Sequence, residues 1–356
     1  MTSELFSPLP LRSGQVLKNR IAKAAMEENM AGDGQLPDEQ LLTLYRRWAE
    51  GGTGLLITGN VMVHAEALTG PAGVVLDENA PLAPFVEWAK AGKAGGGAIW
   101  MQINHPGRQV ASDMPGVVWG PTDIGVSLGK HSSRFGRPTA MTPQQIEETV
   151  ARYAVTARRA EQAGFDGVEV HAAHGYLLSQ FLSPLVNKRT DQWGGSLENR
   201  ARMLIDIVRA VRAAVARTQA REAYFLDLAK DLVKTSPLPL MLTGGITKRA
   251  TGEKVLDSGV AVIGMGTALA ITPDLPDRWS RGREADRQMR PVNWSDKALA
   301  SAASMAQVRH QMRRLARGSS PRPGTHPAVA LISEQRRQRK ALRSYRAWLS
   351  KRHSAA

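Results

Sequence analysis

Short apolar runs alternate with longer amphipathic segments along the first 280 residues. The runs predicted as strands are Arg20–Met26, Gly54–Asn60, Ala98–Ile103, Gly167–His171, Leu238–Thr243 and Ala261–Gly264. The segments whose apolar positions recur at helical spacing are Asp38–Gly51, Pro81–Lys93, Pro143–Ala163, Leu197–Ala216, Arg221–Lys234 and Lys248–Asp257. Strands that alternate with such helices predict an α/β fold built on a parallel sheet.

The predicted helix at Pro143 has clear boundaries. Thr142 is suited to cap its first turn, Pro143 fits the first helical position, and Gly164 is a stop signal. These boundary signals support the prediction of a helix over Pro143–Ala163.

Polar residues and glycines gather after the predicted strands, which favours a closed arrangement of the sheet. Parallel strands of a (β/α)₈ barrel gather their carboxyl ends around one mouth. No Gly-x-Gly-x-x-Gly follows the first strand, which counts against an open dinucleotide-binding sheet. We therefore predict a TIM-type (β/α) barrel over residues 1–280.

The barrel is predicted to be incomplete. The 22 residues from Arg217 to Leu238 read as one helix, whereas one strand–helix–strand unit takes about 30 residues or more. Six strands are recognisable instead of eight, so we expect an internal deletion around residues 216–221. The gap could be closed by a smaller barrel, left as an open groove, or covered in a homo-oligomer.

Residues 281–356 form a separate basic extension, predicted to be helical. They contain 18 Lys and Arg and 4 Asp and Glu, and so carry nearly all of the net charge of +15. Two apolar stripes lie at helical spacing, one formed by Met305, Val308, Met312 and Leu315, the other by Leu342, Tyr345, Trp348 and Leu349. Such stripes usually pack on the parent domain. The charge itself fits a solvated face or contact with an anionic surface, and no nucleic-acid motif accompanies it.

Composition removes several classes of function. The chain has no cysteine, which excludes disulfides, thiolate-bound metals and a thiol nucleophile. It shows no secretory signal pattern and no apolar run near the roughly 20 residues of a membrane helix, so we expect a cytoplasmic protein without a transmembrane segment.

The segment His171-Ala-Ala-His174-Gly-Tyr176 carries the candidate chemistry. Two imidazoles can donate hydrogen bonds to one carbonyl oxygen, and a tyrosine hydroxyl can deliver a proton in a dry site. The same pair of histidines also suits a metal site, although no third ligand stands beside it, or a purely structural role.

This segment, with Gln180-Phe-Leu-Ser-Pro and Asn187-Lys-Arg-Thr-Asp after it, resembles the old yellow enzyme family and its 2,4-dienoyl-CoA reductase relatives. Further matching segments are Asn19-Arg-Ile with Ala24-Ala-Met26, Gln102-Ile-Asn-His-Pro-Gly-Arg108, Leu242-Thr-Gly-Gly-Ile246 and Gly264-Met-Gly-Thr-Ala-Leu269. The resemblance runs from about Leu5 to Arg278.

The resemblance implies a barrel that binds FMN at its mouth and uses NAD(P)H as co-substrate. The residues implied to bind FMN are Ala24, Ala25, Met26, Gly59, Gln102, Gly244, Gly245, Gly266 and Thr267. The implied reaction moves hydride through flavin N5 to an activated alkene, a small electrophilic molecule. His171 and His174 would bind its carbonyl oxygen, and Tyr176 would protonate its α-carbon.

Two departures from the family pattern affect this expectation. The basic side chain that the family carries on its fifth strand has no match here. Glu27 stands where relatives often carry Thr or Cys, and its carboxylate would oppose an anionic flavin unless it is protonated or turned away. The alternative is therefore a catalytically impaired remnant with weak or no FMN binding.

Overall fold

The computed structural model describes residues 3–215, 238–284 and 288–355. In these ranges the main sheet contains eight strands: two of only two residues, Val61–Met62 and Val74–Val75, and six others, which we label β1 to β6. They are β1 (Ile21–Lys23), β2 (Leu55–Ile57), β3 (Ala98–Asn104), β4 (Gly167–Val170), β5 (Met241–Thr243) and β6 (Val262–Met265). Each lies within one of the six predicted runs or departs from it by a single residue, so the strand prediction is confirmed.

All six strands are parallel and follow the order β5–β6–β1–β2–β3–β4. Representative registers are Ile263 with Ile21, Leu55 with Ala98, and Val168 with Met101. Among the described residues β4 and β5 do not pair with each other, so this sheet does not close into a full barrel. The carboxyl ends of all six strands nevertheless meet at the same edge of the sheet.

Ten α-helices accompany the strands in the described residues. They are α1 (Glu39–Glu50), α2 (Ala83–Lys93), α3 (Pro143–Gln162), α4 (Leu177–Leu182), α5 (Leu197–Ala214), α6 (Arg249–Asp257), α7 (Thr267–Ile271), α8 (Leu275–Ser280), α9 (Lys297–Ala316) and α10 (Pro327–Ala355). The helix expected over 221–234 lies outside the described residues. None of the described helices combines the length and apolar character needed to cross a membrane.

Shorter elements complete the chain. Single helical turns of the 3-10 type occupy Glu4–Phe6, Asp33–Gln35 and Gly129–Arg134. Two-residue strands are Leu9–Pro10, Val16–Leu17, Val61–Met62, Val74–Val75, Trp119–Gly120 and Thr139–Ala140. Val61–Met62 continues the line of β2 along β3, which lengthens the sheet toward the mouth.

Helix α3 begins where the sequence indicates. The Thr142 hydroxyl accepts from the Gln145 backbone, and the Gln145 side chain accepts from the Thr142 backbone, which forms a capping box. Gly164 follows the helix with φ of +89°, a backbone conformation that favours glycine. Ile146, Tyr153 and Ala157 face the main core.

The C-terminal helices pack on the barrel. Met312 and Leu315 of α9 are buried in the main apolar core, and Tyr345 and Leu349 of α10 are buried against Met62 and its neighbours. The Tyr345 hydroxyl donates to the carbonyl of Ala65 at 2.8 Å. Most of the predicted apolar stripes are thus covered by the rest of the chain, although Met305 is 45% exposed. Two charged side chains of the extension, Arg313 and Glu334, are buried as an ion pair.

Candidate active site

The His171–Tyr176 loop leaves β4 at the mouth of the sheet. His171 N donates to the carbonyl of Ile103 at 3.1 Å, which extends the β3–β4 ladder by one residue. Tyr176 then caps α4, whose Leu177, Leu178 and Phe181 are buried in the main core. The apolar face of a short helix therefore fixes where the polar loop lies.

Gln180 ties this loop to the loop that follows β3. Its amide nitrogen donates to the carbonyls of Gly175 at 2.7 Å and Pro106 at 3.1 Å, and its oxygen accepts from Arg108 N at 3.2 Å. Gln109 adds a bond to the carbonyl of His174 at 2.7 Å. These hydrogen bonds hold the loop after β3 and the loop after β4 side by side.

His171, His174 and Tyr176 form one cluster. Nε2 of His171 lies 3.2 Å from Nδ1 of His174, and the rings of His171 and Tyr176 are 5.3 Å apart between centroids. His171 is buried, whereas His174 is exposed and has a left-handed φ of +57°. The structure therefore gathers all three predicted catalytic residues at the mouth.

Gln102 joins this cluster from β3. Its amide nitrogen donates to Glu169 Oε1 at 2.6 Å and lies 3.2 Å from His171 Nδ1. An amide nitrogen can only donate, so His171 Nδ1 accepts and the ring proton resides on Nε2. Burial, and secondarily the neighbouring His174, lowers the pKa of His171 to about 4, which agrees with a neutral ring.

Burial raises the pKa of the Tyr176 hydroxyl well above its ordinary value. Glu27 raises it further, while Arg309 and a hydrogen bond with the Asn60 side chain oppose the increase. The hydroxyl therefore stays protonated across the physiological range, as a proton donor must.

The predicted cofactor residues of β1, β2 and β6 meet beside the cluster. Ala24 N donates to the carbonyl of Met265 at 3.0 Å, which joins the ends of β1 and β6. A methyl group on Gly266 would lie 3.3 Å from Met26 Sδ, and one on Gly59 would lie 2.3 Å from the carbonyl of Met26. Ala25 is half-buried in the same turn, and Thr267 begins α7 directly after Gly266.

Gly244 and Gly245 follow β5 at the same edge of the sheet. Their φ values are +127° and +67°, which favour glycine, and no atom of residues 3–215, 238–284 or 288–355 lies within 4 Å of a methyl group placed on either. Strand β5 pairs with β6 through Thr243 and Gly264, so these glycines lie on the side of Gly266 and Thr267.

Gly59 is hydrogen-bonded to a buried ionic network that the sequence did not indicate. Lys23 Nζ lies 3.2 Å from Glu28 Oε1, 3.1 Å from the Tyr45 hydroxyl and 2.7 Å from the carbonyl of Ile57. Gly59 N in turn donates to Tyr45 at 3.2 Å and to Glu28 at 3.3 Å. The sequence signal for this network was a lysine, Lys23, within an apolar strand. Its partners Glu28 and Tyr45 could be identified only from the fold.

The Glu27 carboxylate, directly after Met26 in the chain, is bound by Arg309 of α9 and by Thr69. Its Oε2 lies 2.6 Å from Nη2 of Arg309 in α9, and its Oε1 accepts from the Thr69 hydroxyl. Sequence reasoning missed Arg309, which lies 282 positions away along the chain.

The histidine pair does not form part of a larger metal-binding group in the described ranges, where no three His, Cys, Asp or Glu side chains come together. Its nitrogens instead take part in the hydrogen bonds that run from Gln102 through His171 to His174. The geometry thus offers a hydrogen-bonded histidine pair, with His171 neutral, beside a protonated tyrosine.

Comparison with known proteins identifies relatives of this site and fold. The profile of the NADH:flavin oxidoreductase / NADH oxidase family matches residues 4–229. An NADH-dependent flavin oxidoreductase of Hypocrea jecorina is 32% identical over 348 aligned positions, covering 76% of this chain and 87% of that protein. An NADH oxidase of Thermoanaerobacter brockii is 37% identical, covering 76% of this chain but 50% of its own length.

Solved structures give the same result. An old yellow enzyme homologue from Zymomonas mobilis superposes with a TM-score of 0.70 at 25% identity, covering 80% of this chain and 94% of that one. A 2-naphthoyl-CoA reductase bound to 2-naphthoyl-CoA superposes with a TM-score of 0.69 at 25% identity, covering 80% and 53%. The fold is therefore that of the old yellow enzyme barrels.

The fungal alignment is longer than the part of this chain that it covers. It extends over 348 positions, many more than the 76% of this 356-residue chain that it covers. The alignment therefore contains many positions at which the relative has residues with no counterpart in this chain.

Proposed function

The chain belongs to the NADH:flavin oxidoreductase / NADH oxidase family, and we propose that it is an FMN-dependent NAD(P)H oxidoreductase that reduces electrophilic alkenes such as enones. The observation that carries the proposal is the hydrogen-bonded line from Gln102 through His171 to His174, with Tyr176 beside it. A cytoplasmic location, as the sequence indicates, is part of this proposal.

The residues at the mouth fit FMN. A methyl group on Gly59 would collide with Glu28 and with the carbonyl of Met26, so only glycine fits this tight turn. Gly244 and Gly245 open onto space that no described residue fills, where backbone amides can approach a phosphate. The buried Oδ1 of Asn60 has no hydrogen-bond partner among the described residues. We assign the ring to Ala24, Ala25, Met26, Gly59 and Gln102, and the phosphate to Gly244, Gly245, Gly266 and Thr267.

When bound, FMN supplies hydride transfer between NAD(P)H and the alkene, and the protein supplies alignment and polarity. His171 and His174 are placed to bind the carbonyl oxygen of the alkene. His171 Nε2–H donates to His174 Nδ1 in this structure, so the proton of His174 resides on Nε2.

A substrate oxygen can take the place of His174 Nδ1 as the acceptor for His171. His174 is exposed, and its left-handed backbone conformation costs about 1 kcal/mol, so its loop is poised to shift. Both rings then donate an N–H to one oxygen, which stabilises negative charge that develops there.

Tyr176 is the proton donor to the α-carbon. Its hydroxyl is kept protonated by burial and stands beside the histidines that hold the carbonyl. Hydride arriving at the β-carbon and a proton arriving at the α-carbon complete the reduction of the double bond.

The visible spectrum of the purified protein tests this proposal. We expect bound FMN, bleached by NADH or NADPH without oxygen and restored by an added enone. A second candidate is a catalytically impaired remnant, which is favoured by the unpaired edges of β4 and β5 among the described residues. A colourless protein that cannot be reconstituted with FMN would decide for that remnant.

A further inference from the structure

Glu169 lies beside Gln102 because of the register between β4 and β3. The two residues are direct partners across these parallel strands, so their side chains leave the sheet on the same face. His171 follows two positions after Glu169 and therefore shares that face. The register thus places a carboxyl group, an amide and an imidazole next to one another at the mouth.

The Gln102 amide connects the other two groups. Its nitrogen donates to Glu169 Oε1 at 2.6 Å and lies 3.2 Å from His171 Nδ1. Gln102 is 5% exposed and His171 is 6% exposed, so water has little access to replace either hydrogen bond. Both N–H bonds of one amide nitrogen are therefore directed at acceptors, one on Glu169 and one on His171.

The Glu169 carboxylate determines which way this amide faces. The nitrogen and oxygen ends of a glutamine amide have nearly the same shape, but an ionised carboxylate can only accept hydrogen bonds. If the Gln102 amide were reversed, its oxygen would face Glu169 Oε1, and a charge-assisted hydrogen bond would be lost. His171 Nδ1 would then face an oxygen, which accepts from an N–H on that nitrogen. The orientation of the amide thus fixes which ring nitrogen of His171 carries the proton.

We propose that Glu169 is a positioning residue, which holds the Gln102 amide in one orientation and thereby keeps the proton of His171 on Nε2. His171 Nε2 lies 3.2 Å from His174 Nδ1, so a proton on Nε2 is the one that this ring can donate at the histidine pair. With the proton on Nδ1, the same nitrogen would present a lone pair to a substrate carbonyl and repel it. This consequence for the reaction rests on the proposed function, whereas the amide orientation and the tautomer do not.

The tautomer of His171 can be measured without a cofactor. Protein labelled with ¹⁵N-histidine is studied by long-range ¹H–¹⁵N correlation NMR at about pH 8, where the ring is neutral, and the His171 signals are identified by their loss in His171→Asn. We expect less than about 10% of the Nδ1–H form in the wild-type protein, since reversal of the amide loses a hydrogen bond to a charged group. Glu169→Gln offers the amide either a donor or an acceptor, so this share should rise to about 25% or more.

Two further variants separate positioning from a general effect of charge. Glu148→Gln removes the same charge from an exposed glutamate that also accepts from a glutamine, Gln144, at 2.9 Å, and it should leave the His171 tautomer unchanged. Gln102→Met removes the connecting amide, so Glu169→Gln added to Gln102→Met should change the tautomer no further. The other histidine signals show in each variant whether the fold is kept.

A folded Glu169→Gln protein in which His171 keeps the wild-type tautomer would overturn the proposal. An equal effect of Glu169→Gln with and without the Gln102 amide would also overturn it, since the carboxylate would then act on the ring directly. The predicted tautomer changes in a protein that does not bind FMN would defeat the proposed function alone, because this measurement needs no cofactor.

Discussion

Replacement of Lys23 by methionine tests how much the buried ionic network of Lys23, Glu28 and Tyr45 stabilises the protein. Lys23 is fully buried and has three polar partners: Glu28, Tyr45 and the carbonyl of Ile57. Its ammonium also lies 4.8 Å from the centre of the Trp48 ring. Lys23→Met fills a similar volume but leaves the buried Glu28 carboxylate without its cation.

The expected loss of stability is large. Removal of one partner from a buried ion pair costs about 3–5 kcal/mol, because the remaining charge is desolvated and unpaired. Stability of native domains totals about 5–15 kcal/mol, so this loss is a substantial share. With a urea m-value of about 3 kcal/mol/M, the unfolding midpoint should fall by about 1 M.

Urea unfolding of three variants measures the effect. Lys23→Met with Glu28→Gln removes both charges and should recover at least half of the loss. Lys90→Met is the matched control, because Lys90 pairs with Glu87 at 2.7 Å on the surface, with the side chains 66% and 56% exposed. It should change stability by about 1 kcal/mol or less. Equal midpoints for Lys23→Met and Lys90→Met would refute the reasoning.

Three further predictions concern the mouth and the buried histidines. Tyr176→Phe should leave reduction by NAD(P)H intact but slow the reoxidation by an enone by about 10²–10⁴-fold, as stopped-flow absorbance can show. Gly59→Ala should weaken FMN binding, because its methyl group would lie 2.1 Å from Glu28 Oε2. The control Gly324→Ala should leave FMN binding unchanged, because no described atom lies within 4 Å of its methyl group. Quenching of FMN fluorescence measures the binding of both variants. Burial lowers the pKa of both His64 and His171 to about 4, so the unfolded chain binds protons that the folded chain does not. The free energy of unfolding should be level above about pH 6.5 and fall toward pH 4 by roughly 3 kcal/mol per histidine, and His64→Asn should reduce the slope of the urea midpoint against pH.

The strands and the clustering of the three candidate catalytic residues were predictable because their signals are local. Ile21–Lys23 and Val262–Met265 are short apolar runs between helical segments, so periodicity alone finds them. His171, His174 and Tyr176 lie within six residues of one another, and any turn at the end of β4 brings them together.

Contacts between distant parts of the chain could not be predicted in this way. Arg309 is one of many arginines in a basic extension, and only the packing of α9 places it beside Glu27. Lys23 looks like an interruption of an apolar run until the fold supplies Glu28 and Tyr45. The prediction that two family strands are missing concerns a segment whose central part lies outside the described residues.

Isotope labelling of the product tests the central claim most directly. The protein is incubated with unlabelled NADH and a simple enone in D₂O, and the product is analysed by NMR. The account predicts one deuterium at the α-carbon, delivered by Tyr176, and hydrogen at the β-carbon. In a second incubation, in H₂O with NADH deuterated at C4, the deuterium should appear at the β-carbon. Solvent deuterium at the β-carbon, or no product from protein that holds FMN, would contradict it.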